Sequence, residues 1–179
     1  MFKVSINQES IQRVEKNIKD AFNKVIRNQQ MLNELGETIV VDIQGTNRSG
    51  KSPKGNKHPT LAESTIRNRR YLAKYNPTHP TYSEKRSNVT ITGELLDSLN
   101  SKTTGPGKLQ IEAEGNHSQY KGKTKSIGKE IANEKLVGYL KDKGFFIMGI
   151  REKLIPRLRR TVIAYIRRAS RTLFKLENE

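Results

Sequence analysis

The spacing of apolar residues changes twice within the first quarter of the chain. Residues 2–6 alternate between apolar and polar side chains, a period of two that predicts a short strand. From residue 11 to residue 35 the apolar side chains recur at steps of three and four, which predicts one long helix that Gly36 ends at its C-cap. The β-branched run over residues 37–44 then predicts a strand.

Loops separate the next elements. Residues 45–59 combine several glycines and prolines with hardly any apolar side chain, and they predict a flexible, exposed basic loop. Residues 60–75 return to a helical pattern. Prolines predict irregular structure at about 76–88, and the abundance of glycine and lysine predicts another irregular loop at about 115–128.

The second half of the chain predicts short elements. Residues 89–93 and 108–115 have strand patterns, and residues 94–100 between them predict one or two helical turns. Residues 130–144 carry apolar side chains at helical spacing. The apolar run over residues 145–150 predicts a buried strand.

The last helix has the clearest pattern. At 100° per residue its apolar side chains fall within about 120° of arc, and most of its basic side chains fall within about 100° on the other side. We therefore expect one face to pack and the opposite face to form a ridge of positive charge. The apolar set is Leu154, Ile155, Leu158, Val162, Tyr165, Ile166, Ala169 and Leu173, and the basic set is Arg157, Arg160, Arg167, Arg168, Arg171 and Lys175.

This order of elements predicts an α+β fold. Strands do not alternate with long crossover helices, so we expect a small, mainly antiparallel sheet packed with long N-terminal and C-terminal helices and extended basic loops. The length of 179 residues fits one domain over residues 1–179. The apolar fraction of 33% is low, which favours a thin core that needs subunit contacts to become fully ordered.

Composition narrows the classes of function. The chain has no cysteine, which removes disulfides, thiolate metal ligands and cysteine nucleophiles. The longest apolar runs are far shorter than the roughly 20 residues of a membrane span. We expect a soluble protein with no membrane contact that acts in the compartment where it is made.

Positive charge is concentrated in two segments. The chain has 34 Lys+Arg against 18 Asp+Glu, and residues 45–86 and 151–179 hold most of the excess. Such clustering favours a polyanionic partner, because each neutralised phosphate releases counterions. A solvated surface that resists aggregation would have the same composition. The candidate residues that face DNA or a partner protein are Arg48, Lys51, Lys54, Lys57, Arg157, Arg160, Arg167, Arg168 and Arg171.

One stretch matches the phosphate-binding P-loop pattern G-x-x-x-x-G-K-S, with Gly45, Gly50, Lys51 and Ser52 at the required positions. A working P-loop leads directly into a helix, whose N-terminus helps to surround the phosphates. Here two prolines and a glycine follow within seven residues. We therefore interpret the match as a coincidence in a loop rich in Gly, Lys and Ser, and expect no bound nucleotide or other cofactor.

Catalytic and metal-binding patterns are weak. His58, His79 and His117 lie in segments without metal-ligand spacing, which favours surface histidines and no metal site. Glu112 and Glu114 share one face of a strand that looks solvent-exposed, where surface roles are more common than acid/base catalysis. We expect no enzymatic activity.

The order of several degenerate motifs resembles the virion morphogenesis and tail completion proteins of tailed phages. The resemblance covers most of the chain beyond Ser52, although the family's Tyr-Ala and His-x-x-Gly pattern before the aromatic strand is replaced here. The matching residues are Pro53, Gly55, Pro59, Leu61, Thr65 and Arg70, then Thr92, Gly93, Leu95 and Ser98, and finally Phe145, Phe146 and the segment from Leu154.

The resemblance implies a structural protein of the virion neck, assembled in the host cytoplasm. In that family, subunits form a homo-oligomeric ring, a hexamer being expected, at the head–tail junction. Implied partners are the head–tail connector or adaptor, the tail terminator or tail tube, and the packaged double-stranded DNA that passes through the channel during ejection. Channel-facing positive charge would bind phosphates without reading sequence.

Two alternatives stay open at this point. The same basic segments would suit a free, nonspecific DNA-binding protein that uses the basic loop and the arginine-rich last helix. Within a ring, the arginines would face either DNA or an acidic surface of a neighbouring protein, since both contacts use exposed charge.

Overall fold

A computed structural model shows the arrangement of the chain. It describes residues 8–75, 78–90, 93–121 and 124–175. The strand that the sequence predicts over residues 2–6 lies outside these ranges.

The described residues form an α+β fold in which helices dominate and the strands make two separate antiparallel hairpins. This confirms the fold class that the periodicity predicts. A short 3-10 turn at Glu152–Leu154 leads into the last helix. In chain order the elements are α1 Gln8–Ile26, α2 Gln29–Arg48, α3 Glu63–Ala73, α4 Glu94–Asp97, β1 Leu99–Gly105, β2 Lys108–Ala113, β3 Asn116–Lys121, β4 Thr124–Ala132, α5 Asn133–Asp142 and α6 Ile155–Lys175.

The prediction of one N-terminal helix ending at Gly36 is wrong. The helix breaks at Asn28, whose side-chain oxygen accepts a hydrogen bond from Met31 N at 2.8 Å and caps α2. The predicted strand over residues 37–44 is instead the continuation of α2. Its β-branched run forms a helix because Ile39 and Ile43, one turn apart, both enter the core.

Gly36 has a packing role inside α2. A Cβ there would lie 2.5 Å from the Cβ of Ser101 on β1, so the missing side chain lets the first hairpin approach the helix closely. The hairpin pairs Leu99 with Ala113 and Ser101 with Ile111. Strand β2 confirms the predicted strand, whereas its partner β1 is polar and has no strand prediction in the sequence.

Three further predictions are corrected. The segment 115–128, predicted as irregular, contains most of the β3–β4 hairpin, with Asn116 opposite Ala132. Residues 145–150 are irregular instead of a strand, although Ile147 within them is buried. Residues 89 and 90 of the strand predicted over 89–93 also lie outside any strand, and residues 91 and 92 of it are not described.

Two apolar clusters hold the elements together. The larger one joins α2, α4, the first hairpin and the segment before α6. The smaller one holds α1 and the start of α2 against the apolar face of α6, and its α6 members are Val162, Tyr165, Ile166 and Ala169. The amphipathic last helix is thus confirmed for its described side chains, except that Ile155 in its first turn is exposed. The side chains of Leu173 and Lys175 lie outside those that the structure describes.

A candidate basic interface

The basic segment forms a short hairpin directly after α2. Lys51 and Lys57 face each other in an isolated antiparallel bridge. Gly55 takes a φ of 84° at the turn, a left-handed conformation that favours glycine. Both bridge lysines and Lys54 between them are exposed. We call residues 51–57 the lysine hairpin.

The base of the lysine hairpin is buried. Ser52 and His58 are each 5% exposed, and the His58 ring packs 5.4 Å from the ring of Phe145, centroid to centroid. The prediction of a wholly exposed loop over residues 45–59 is therefore wrong, since its first four residues also end α2. The lysines are displayed on an anchored turn.

Asn47 forms the anchor. Its fully buried amide donates to the carbonyl oxygens of Ile43 at 2.8 Å and Ile147 at 3.0 Å, and its Oδ1 lies 2.9 Å from His58 Nε2. Because that oxygen can only accept, Nε2 carries the proton and Nδ1 is the unprotonated nitrogen. Burial lowers the pKa of His58, so the ring is neutral at pH 7.

The secondary structure around the P-loop pattern differs from that of a nucleotide site. Gly45 is inside α2, which therefore precedes the motif. Gly50 follows the helix with a φ of 78°, and Lys51 and Ser52 begin the hairpin. The next helix starts at Glu63. A phosphate cradle would need the helix directly after Ser52.

Arg48 does not belong to the exposed set. It forms an ion pair with Asp97 at the end of α4, and its side chain is only 20% exposed. The expectation that it faces DNA or a partner is therefore replaced by a role in joining α2 to α4. Sequence reasoning missed this pair because the two residues are 49 positions apart.

The arginines of α6 form a continuous exposed ridge. They lie on the side opposite the apolar face and span roughly 21 Å of helix axis, about six base-pair steps of duplex DNA. Arg168 also lies over the Tyr165 ring, 5.5 Å from its centroid, which restrains its side chain. The exposed members of the ridge are Arg157, Arg160, Arg167, Arg168 and Arg171.

The segment before α6 links the ridge to the lysine hairpin. Gly149 approaches Pro53 so closely that a Cβ there would lie 3.1 Å from the proline Cβ. A Cβ at Gly144 would likewise lie 3.2 Å from the Cγ of Pro59. The hairpin therefore packs on the segment that leads into α6. This contact between residues about 90 positions apart has no signal in the sequence.

Chemical groups for catalysis are sparse around this interface. In the part of the chain that the structure describes, no group of three His, Asp or Glu side chains could hold a metal ion. The helices of that part are too short or too polar to cross a bilayer. What the interface offers is fixed positive charge, which binds phosphates or carboxylates by Coulomb attraction and N–H donation.

Comparison of the chain with protein-family models, curated proteins and solved structures finds no match.

Proposed function

We propose that this protein is a structural subunit of the neck of a tailed phage. Copies assemble into a ring, a hexamer being expected, at the head–tail junction, and packaged DNA passes through the channel. The observation that carries the proposal is the pairing of an exposed apolar row on α1 with the arginine ridge of α6, the helix packed against it.

The apolar row is suited to subunit contact. Ile11, Val14, Ile18 and Phe22 recur at helical spacing along α1, and each is between 43% and 61% exposed. A row of this kind on an isolated chain marks a surface that a partner covers. Burial of about half of four large side chains on each copy would stabilise a repeated interface.

The arginine ridge is suited to nonspecific DNA binding, in which the phosphate backbone is contacted and the bases are not. Guanidinium groups along one face of a helix bind the phosphates of DNA of any sequence. Such contacts are weakened by salt and exchange rapidly, so DNA could move along the arginine side chains without being held at one position. The ridge and the lysine hairpin would line the channel, and the apolar row would lie between subunits.

The ring is tested by measuring mass in solution. Light scattering after size exclusion should give about 122 kDa, six times the chain mass of 20.4 kDa, and negative-stain images should show rings. The double variant Ile18→Ser/Phe22→Ser should dissociate the ring, because it removes half of the apolar row. The control Val41→Ser, at a residue 66% exposed on α2, should leave it intact. A strict monomer at every concentration would refute the proposal.

A free, nonspecific DNA-binding protein is the second candidate, and the arginine ridge favours it. Anisotropy of a labelled random-sequence duplex between about 50 and 200 mM salt measures the salt slope. Replacing Arg160, Arg167 and Arg171 by Gln should reduce that slope by up to about 2.7, since each phosphate contact contributes about 0.9. A monomer that binds DNA favours this candidate, and absence of binding at low salt removes it.

A further inference from the structure

A groove of about 630 Å³ lies between the start of α3, residues 88–90 and α5. Its lining is mainly apolar and includes Leu61, Leu136 and Phe145. The polar groups that enter it come from distant parts of the chain, which the fold brings together. The groove shares Pro59 and Phe145 with the base of the lysine hairpin, but its described lining includes neither the exposed lysines nor the arginine ridge.

Two basic side chains, Arg69 and Lys143, border the groove. His117 also lines it, but burial lowers the pKa of its ring, so it is neutral at pH 7, and its Nδ1 lies 3.3 Å from Glu94 Oε2. Among the described residues that line the groove there is no aspartate or glutamate. The groove therefore complements an apolar group that carries negative charge.

Arg69 is a buried cation without a counter-ion. It is 8% exposed, and its guanidinium donates to neutral oxygens of Ser83, Arg86 and Asn88. Among the described residues no carboxylate forms an ion pair with it. A buried charge of this kind is costly unless an anion compensates it.

Thr90 adds a second unsatisfied group. Its side chain is 1% exposed and lines the groove, and its hydroxyl has no hydrogen-bond partner within the described part of the chain. A carboxylate in the groove would accept from this hydroxyl and from the guanidinium of Arg69. Arg69 and Thr90 are therefore two separate groups that a bound carboxylate would satisfy.

The chain itself contains a segment that combines an apolar side chain with carboxylates. Residues 176–179 read Leu-Glu-Asn-Glu and carry two carboxylates and no basic group, whereas the rest of the chain has 34 basic and 16 acidic residues. Leu176 supplies the apolar group, and Glu177 and Glu179 supply the charge. The segment follows α6 directly.

This segment cannot reach the groove of its own chain. Leu154 belongs to the same apolar cluster as Leu95 and Leu140, which line the groove. From there α6 runs about 31 Å to Lys175. Four extended residues span at most about 14 Å, which is too short for a return along the helix. The groove could therefore receive this segment only from a neighbouring copy.

We propose that the groove binds residues 176–179 of a neighbouring copy, with Leu176 in the apolar part and a glutamate carboxylate at Arg69 and Thr90. The inference rests on the proposed ring, because it requires a second copy. It makes each subunit both donor and acceptor, which is the head-to-tail geometry that closes a ring.

The contact is tested with a fluorescein-labelled peptide of residues 170–179 and the full-length protein. Anisotropy should show saturable binding, and a peptide with Gln at positions 177 and 179 should bind about tenfold more weakly because it lacks the charge-assisted hydrogen bonds. The protein variant Lys143→Glu should weaken binding to a similar degree. Its control Lys141→Glu makes the same charge change at an exposed position of α5 that does not line the groove.

A chain that ends at residue 175 separates this inference from the ring itself. Its ring should dissociate at a concentration about tenfold higher than that of the full chain. An unchanged ring together with no peptide binding overturns the inference and leaves the proposed function standing. Equal binding of the Gln peptide also overturns it. A protein that is always monomeric refutes the ring and, with it, the contact between copies, even if it binds the peptide and discriminates against its Gln form.

Discussion

The buried anchor of the lysine hairpin makes a sharp prediction about stability. Asn47→Ala removes both amide donors and the acceptor of His58. The carbonyl of Ile43 keeps its position in the helix, but the Ile147 carbonyl and the His58 Nε2–H lose their partner in a site closed to water. Each buried orphan costs about 1–3 kcal/mol, so unfolding should become easier by about 2–6 kcal/mol. That is a large share of the roughly 5–15 kcal/mol of a typical domain.

Urea denaturation followed by far-UV circular dichroism at pH 7.5 measures this change as a lower midpoint at constant slope. The control is Asn56→Ala, which alters the same residue type at an exposed position of the lysine hairpin and should shift stability by no more than about 0.5 kcal/mol. If Asn47→Ala costs less than about 1 kcal/mol, the three hydrogen bonds do not anchor the hairpin, and the reasoning fails.

Two further predictions concern the glycines of α2 and the buried histidine. Gly36→Ala should destabilise the fold by about 1–3 kcal/mol because its Cβ collides with Ser101. Gly45→Ala in the same helix has open space around it, so it should be neutral or stabilise the fold by about 0.5–1 kcal/mol. Thermal melts compare the two variants. Burial lowers the pKa of His58 below its ordinary value of 6.5, so the unfolded chain takes up a proton at a higher pH than the folded protein does. The free energy of unfolding should therefore fall as the pH drops below 6.5 toward the lowered pKa. His58→Gln should flatten the dependence of unfolding free energy on pH between 7.5 and 5, and an unchanged slope would contradict this assignment.

Local periodicity predicts the elements whose two faces differ strongly. The last helix is predicted because its basic and apolar side chains fall on opposite sides, and strand β2 is predicted because its apolar and polar residues alternate. Residues 37–44 have strand propensity, yet the spacing of Ile39 and Ile43 allows a helix to bury both, and tertiary packing selects the helix. Strand β1 is polar and forms because β2 pairs with it, which its own residues do not reveal.

The candidate interface is predictable only in its charges. The exposed lysines and the arginine ridge follow from composition and helical spacing. The anchoring of the lysine hairpin depends on Asn47, His58 and Phe145, which three separate segments supply. Likewise, Arg48 is one of several basic residues in the sequence, and its pairing with Asp97 depends on where α4 lies. Long-range contacts of this kind need the fold.

The bridge between Lys51 and Lys57 places two ammonium groups on directly opposed positions of a short ladder, where like charges repel. Added salt screens that repulsion, so hydrogen exchange of the amides in the lysine hairpin should slow as ionic strength rises. Added salt also weakens any contact with phosphates. The turn should therefore be most rigid at the ionic strength at which phosphates would bind it least. If the proposed DNA contact exists, a polyanion added at low salt should restore the rigidity that high salt otherwise provides.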